Sequence, residues 1–433
     1  MGWSEEDRRK RQYNISKADQ RKDYERDRDR ILYSSAFHRL AGITQIVRAG
    51  ELDIFHTRQQ HTYKVAQVGR RLAQHCIAKD AELAVVHGVD QEVVEAACLA
   101  HDLGHPPFGH AAEKKLDQLV TGKGVADGYE GNAQTFRILT KLAVRYGSDQ
   151  CPGLDLTRAT LAACLKYPWI RDVSDPKKAG KWSAYETEKV CFDWTREFSI
   201  NDQKTAEAEI MDWADDIAYS VHDLEDFHRV GIIPWAMILS EENADNLVNA
   251  TVKGWFGAPA DASAQVRDAL SRLAGIFNLF PAIVKEKYDG SREQRRQLRN
   301  LTSLLIGKYV RAVSLAAMDA QRSVNIDAES ETEVRLLKHI ARQYVIGLPA
   351  LHAQQFGQAK IISDLFEIFF DHSSDGDAKF LPMRLRYIWK QDDAPAARLA
   401  ADCVAALTEG EAYALHRRLT GIESGSVLDP IVR

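Results

Sequence analysis

The apolar residues of this chain recur every three or four positions over most of its length. That period constrains the fold more than any other feature. His61, Val65, Val68 and Leu72 stand at i, i+4, i+7 and i+11, one face of a helix. Val94, Cys98 and His101 repeat the spacing before Gly104 and the Pro106-Pro107 pair close the element. Ile210, Met211, Ala214, Ile217, Ala218, Val221 and Leu224 carry the same period through 205–228. Further helices are expected over 263–280, 297–319, 331–347, 358–370, 395–408 and 409–420. No succession of alternating runs announces a sheet of several strands. No βαβ period or internal repeat appears. The expected fold class is therefore all-α. Loops are expected at Val120 to Gly131, at Trp169 to Lys181, at His372 to Asp377 and after Thr420.

Charge and cysteine content exclude several classes. Lys plus Arg is 57 and Asp plus Glu is 62, a net charge of −5 over 433 residues. Such a chain has no global field that draws it to nucleic acid or to a membrane, so any anion it handles is held locally. Six scattered cysteines with no C-x-x-C suggest neither a disulfide framework nor a thiolate zinc site. No apolar run approaches the ~18 residues of a membrane span. The N-terminus is charged rather than signal-like, and a cytoplasmic protein is expected. Residues 1–25, with Arg8 to Arg11, read as a charged arm, either solvated and mobile at its start or the front of a salt-bridged helix. A docked helix follows from about Asp27.

Histidine is unevenly spread. Eight of 14 lie in the first 110 residues. Three of them share the segment His101-Asp102-Leu103-Gly104-His105-Pro106-Pro107-Phe108-Gly109-His110 with an aspartate. Adjacent His and Asp on a helix point about 100° apart, so both reach one metal ion only in a groove between helices. His61 heads an apolar stripe. Asp215 and Asp216 interrupt another, where unpaired carboxylates are costly. A metal shared by His61, His101, Asp102 and one of these aspartates would neutralise that cost. Such a set suits Mg, Mn, Fe, Co or Zn better than copper.

His61, then His101-Asp102, then a distant Asp215 resembles the H…HD…D signature of the HD-domain phosphohydrolases. The longer segments narrow the resemblance. Arg26-Asp27-Arg28-Asp29-Arg30-Ile31, Phe37-His38-Arg39-Leu40, HTRQQHT (56–62), HDLGHPPFGHAAE (101–113), GYEGNAQTFRILT (128–140) and MDWADDIAYSVHDLED (211–226) are similar to the deoxynucleoside triphosphate triphosphohydrolases, the dGTPase-like family. The match is dense from about 21 to 229 and returns weakly at 402–421. It implies an HD-domain helical fold with additional C-terminal helices: a catalytic core over 26–235 and a helical part over 236–433 packed on it.

The resemblance also implies roles. His61, His101, Asp102 and Asp215 would hold a divalent metal, Mg or Mn foremost. Arg58, Tyr219 and Lys181 would meet phosphates. Gln45 and Asp223 would meet the sugar 3′-hydroxyl. His110 with Glu113 would move a proton, and His105 would be a further active-site group. The substrate would be a deoxynucleoside triphosphate, cleaved to deoxynucleoside and inorganic triphosphate. Relatives form homo-oligomers, hexamers among them, and some respond to nucleotides or single-stranded DNA. There are departures too. Gly131 stands where some relatives carry His, and Glu409-Gly410 replaces an acidic-arginine step. Other readings share the ligands: an HD-domain nucleotidase or cyclic-nucleotide phosphodiesterase, or a nucleotide- or nucleic-acid-binding regulator with little turnover.

Overall fold

The computed structural model describes residues 3–13, 19–45, 56–145, 151–255, 257–318, 320–372, 383–390 and 394–425. Among the described residues the fold is all-α apart from one small hairpin. In chain order the helices that matter here are α1 (Asp23–Leu32), α2 (Arg58–Lys79), α3 (Gln91–Ala100), α4 (Gly109–Gly122), α5 (Gly131–Arg137) and α6 (Ala206–Ala218). They are followed by α7 (Arg292–Arg311), α8 (Ala328–Ala341), α9 (Pro349–Asp371), α10 (Ala396–Ala405) and α11 (Glu409–Leu419). Shorter helices join them.

The central bundle follows from capping and periodicity. Thr57 caps α2 by accepting from the Gln60 N–H, and Gln60 returns the bond to Thr57. Asp90 caps α3 and Thr205 caps α6. The stripes predicted from spacing are the ones buried: Val65, Val68 and Leu72 on α2, Val94 and Cys98 on α3, Ile210, Ala214 and Ile217 on α6. These three helices pack on one another. Gly69 permits the approach, because a Cβ there would overlap the Cys98 sulfur and touch Ala214. A second apolar cluster joins α4 to the C-terminal helices through Leu116, Val120, Ile362, Phe366, Ala400 and Leu415.

Several expectations are corrected. The helix expected over 297–319 ends at Arg311. Residues Val313–Leu315 (β1) and Val324–Ile326 (β2) pair antiparallel, Val313 opposite Ile326. Tertiary acceptors decide this, since Leu315 N–H donates to Asp80 and Val324 N–H to Glu209. The helix expected at 358 begins at Pro349, a residue suited to a first turn. The expected loop 120–131 starts only after Gly122, and 169–181 contains a short helix, Pro176–Gly180. Residues 373–377 of the expected loop and 426–433 of the tail lie outside the described residues.

The start of the chain also differs from a solvated arm. Arg8 is buried on Glu207, Arg11 is 2.6 Å from Asp27, and Trp3 donates to the Phe198 carbonyl at 2.8 Å. Charge pattern alone does not reveal that buried carboxylates, one 16 residues away and one 199, receive these cations.

His228 offers a pH test of the fold. It is 4 % exposed and packs edge-on to Tyr288. Burial and then Arg229 push its imidazole down to about 4. The unfolded chain takes up this proton near pH 6.5, whereas the folded chain refuses it until about 4. Stability therefore falls with pH across that window, by up to about 2 kcal/mol between pH 7 and 5 for this ring. Urea midpoints should show a shallower loss in His228→Phe than in the parent; equal losses would contradict the assignment.

Candidate metal centre and active site

Three helix ends deliver the site. His61 stands one turn into α2, His101 and Asp102 follow α3, and Asp215 lies in the last turn of α6. Donor atoms of His61, His101 and Asp102 lie within 4.8 Å of one another. Asp215 Oδ1 is 3.3 Å from His61 Nε2 and 3.7 Å from His101 Nε2. Asp216, its neighbour, turns to Lys338 at 2.5 Å instead. His101 Nδ1 lies 2.6 Å from the Cys98 carbonyl, which sets that nitrogen as the donor. Its Nε2 is buried without a hydrogen-bond partner. A buried imidazole lone pair facing two carboxylates and a second imidazole is a fitting donor set for a divalent ion.

The carboxylates are ionised. Burial opposes this for Asp102, but His101 and Arg58 hold it well below the usual range. Burial likewise opposes it for Asp215, and Lys166 first among its neighbours brings it down. Lys166 Nζ is 2.8 Å from Asp215 Oδ2 and 2.9 Å from Asp212. Sequence reading missed this lysine. The signal was a lone cation amid the apolar stretch Leu161 to Trp169.

Beside this cluster stands a second one. His110 opens α4, where its Nδ1 meets Glu113 at 2.7 Å, and its ring is exposed. Glu113 is buried. Burial opposes its ionisation, but His110 and then Lys181 hold it well below the usual carboxylate range. Lys181 lies 2.9 Å from Glu113 and 2.7 Å from Glu130, so its ammonium is shared by two carboxylates. Burial and the charge of Glu113 push Glu130 up to about 7. His105 is 3.1 Å from Asp102, and its ring lies 5.2 Å from that of His110. Burial and Arg58 push it down to about 4, which leaves it neutral at pH 7.

The remaining expected residues divide. Arg58 donates to Asp102 at 2.7 Å, and Tyr219 and Gln45 line the cavity. The Gln45 Oε1 is buried without a partner. Asp223 is not on the cavity wall. It is buried behind His61, its Oδ1 3.6 Å from Nδ1.

The loop between the clusters depends on close approach. A Cβ at Gly104 would overlap the Gly131 carbonyl and the Thr135 nitrogen, both backbone. Gly104→Ala should therefore cost about 3 kcal/mol and disturb the adjacent His101-Asp102 pair. Unfolding midpoints and Mn binding test this; a variant of parental stability would refute it. Phe108 adopts φ +71°, a left-handed conformation unusual outside glycine, and Gly109 follows at +61°. Together they turn the chain so that His110 opens α4.

Both clusters face one cavity of about 1570 Å³. Cations ring it: Lys166, Lys181, Arg322, Arg335, Lys338 and Arg342. Arg335 stacks over Trp255 at 4.2 Å. The last four come from the C-terminal part of the chain, where no motif had marked them. Among the described residues, no helix is long and apolar enough to cross a membrane.

Comparison with known proteins agrees with this arrangement. The HD domain matches residues 58–220, which include all four converging His and Asp side chains. A phosphohydrolase-associated domain matches 324–418, the part that supplies Arg335, Lys338 and Arg342. A deoxyguanosinetriphosphate triphosphohydrolase-like protein of Streptomyces coelicolor is 37 % identical over 92 % of both chains. One of Bifidobacterium longum is 36 % identical over 92 % of this chain and 83 % of its own. One of Corynebacterium efficiens is 34 % identical over 94 % and 93 %. Likeness at this level spans nearly the whole of each partner, so it covers the C-terminal helices as well as the metal centre. The chain belongs to the HD-domain phosphohydrolases, in the family of deoxyguanosinetriphosphate triphosphohydrolase-like proteins.

Proposed function

We propose that this protein hydrolyses deoxynucleoside triphosphates to deoxynucleoside and inorganic triphosphate. The observation that carries the reading is one cavity holding both a His-Asp metal set and a separate His110–Glu113 pair, ringed by cations. His61, His101, Asp102 and Asp215 would hold a divalent ion, Mg or Mn, whose chemistry when bound is Lewis-acid polarisation of a phosphoryl oxygen. Arg342 and Tyr219 line the cavity and would meet the phosphates, whereas Lys166 and Lys338 are already paired with Asp212, Asp215 and Asp216. Gln45 offers its unpartnered oxygen to the sugar 3′-hydroxyl.

Water attacks the α-phosphorus and releases one proton to solvent, and the bond from phosphorus to the 5′ oxygen breaks. His110 gives its proton to that oxygen, so the deoxynucleoside leaves neutral. Ionised Glu113 accepts Nδ1–H, so the acid is the imidazolium, whose Nε2–H faces away from Glu113 and is restored from solvent after each turnover. Lys181 steadies Glu113 rather than standing free for phosphate.

Product analysis over the four dNTPs and the matching NTPs, with Mg and with Mn, tests the reading. Intact triphosphate from dNTPs is the expected product. Release of phosphate or pyrophosphate alone would replace this function with another HD-type hydrolysis. Binding without turnover under every metal would replace it with a regulator.

A further inference from the structure

Glu409 is the first residue of α11, remote in sequence from everything it touches. Its Oε1 accepts the backbone N–H of Thr44 at 3.0 Å and of Phe108 at 3.2 Å. Its Oε2 accepts the Thr44 hydroxyl at 2.8 Å. The Glu409 side chain is buried at the edge of the cavity, and its charge strengthens these bonds. Packing reinforces the tie. A Cβ at Gly42 would fall 2.7 Å from a Thr408 methyl, and the Phe108 ring meets Tyr413 of α11 edge-on at 5.1 Å. Arg39 donates to the carbonyls of Leu407, Leu103 and His105 at 3.1, 2.7 and 2.7 Å.

Two segments are thus joined by one carboxylate. Thr44 precedes Gln45, and Phe108 lies two residues before His110. Phe108 is also the residue held in the left-handed conformation from which α4 starts. We propose that Glu409 is a positioning residue: from the C-terminal part of the chain it holds the sugar-side segment and the proton-donor turn in a fixed relation to each other. The inference rests on the proposed function for the roles of Gln45 and His110, but the tie itself does not depend on that function.

The test compares the full-length parent with Glu409→Ala, Glu409→Gln and His110→Ala. Hydrogen exchange at the Thr44 and Phe108 amides should speed up in Glu409→Ala. Mn binding should be unchanged. The kcat for a dNTP should fall on the order of 10²-fold, with a smaller change in KM, as misplacement of a reacting group predicts. Glu409→Gln should stay within about fivefold of the parent, because its amide oxygen can accept both N–H groups while its NH₂ donates to the Thr44 hydroxyl. A substrate with sulfur in place of the bridging 5′ oxygen loses a thiolate, which needs no proton to depart. On it, both Glu409→Ala and His110→Ala should recover to within about tenfold of the parent.

Unchanged exchange or unchanged kcat in Glu409→Ala would overturn the proposal. So would a loss confined to KM, a Glu409→Gln variant as impaired as the alanine, or sulfur rescue of His110→Ala alone. If Glu409→Ala does not fold, Glu409→Asp, one methylene too short for both segments, is judged by the same criteria. If the parent releases no triphosphate, the proposed function fails, and the exchange at Thr44 and Phe108 still decides whether the tie exists.

Discussion

Asp215→Ala should abolish metal binding and turnover together while the protein stays folded. The expectation rests on how α6 divides its faces. Ile210, Met211, Ala214 and Ile217 are buried in the core, while Asp215 lines the cavity with Oδ1 toward both histidines. Alanine is the best helix former, so the helix gains slightly from the exchange. Lys166 keeps Asp212 as a partner, so no cation is stranded. The stability change should stay within about 1 kcal/mol. Loss of activity should be on the order of 10³-fold or more, since even residues that only orient metal ligands are worth 10–100-fold. Mn titration calorimetry and turnover on the same preparation check it. Undiminished Mn binding, or parental activity, would remove Asp215 from the ligand set.

His110→Ala separates chemistry from binding. The ring is exposed to the cavity and bonded only to Glu113 among the metal-site neighbours described, so its removal leaves the His61–His101–Asp102 cluster in place. Metal content and KM should be close to parental. The kcat should fall by about 10²–10⁴-fold, the range for losing a positioned proton donor. Glu113 retains Lys181 and the Gly131 N–H, so the buried carboxylate is not left alone. A parallel fall in metal content would make His110 a ligand instead. Parental kcat would show that the proton comes from elsewhere.

What could be read in advance, and what could not, follows from the range of each interaction. His61 and Asp215 sit on helices whose period is local, and His101 and Asp102 are adjacent just after α3; spacing marked these positions, while the choice of Asp215 over Asp216 came from the family resemblance. His110 and Glu113 are three residues apart on one helix, again a local relation. Lys166, Glu130 and Glu409 act across loops and between distant helices. Their partners lie tens to hundreds of residues away, where no periodicity carries information. Asp223 illustrates the limit even on one helix. The resemblance put it at the sugar, whereas in the structure it is buried behind His61, its Oδ1 3.6 Å from Nδ1.

The N-terminal segment and the hairpin teach the same lesson. Arg8 and Arg11 look like solvent-facing cations until Glu207 and Asp27 are packed against them. Residues 313–315 continue a helical pattern until Asp80 and Glu209 offer acceptors for an extended backbone.

The all-α class, the helices of the central bundle and the candidate histidines and aspartates were legible in the residue pattern, with the choice of Asp215 supplied by the family resemblance. Those depend on hydrophobic period, capping and residue chemistry within a few turns. Only the tertiary structure decided which cations surround the cavity, which carboxylates are braced, and how the C-terminal helices hold the turn before His110. Those depend on burial and hydrogen-bond satisfaction between segments that meet only once the chain is packed.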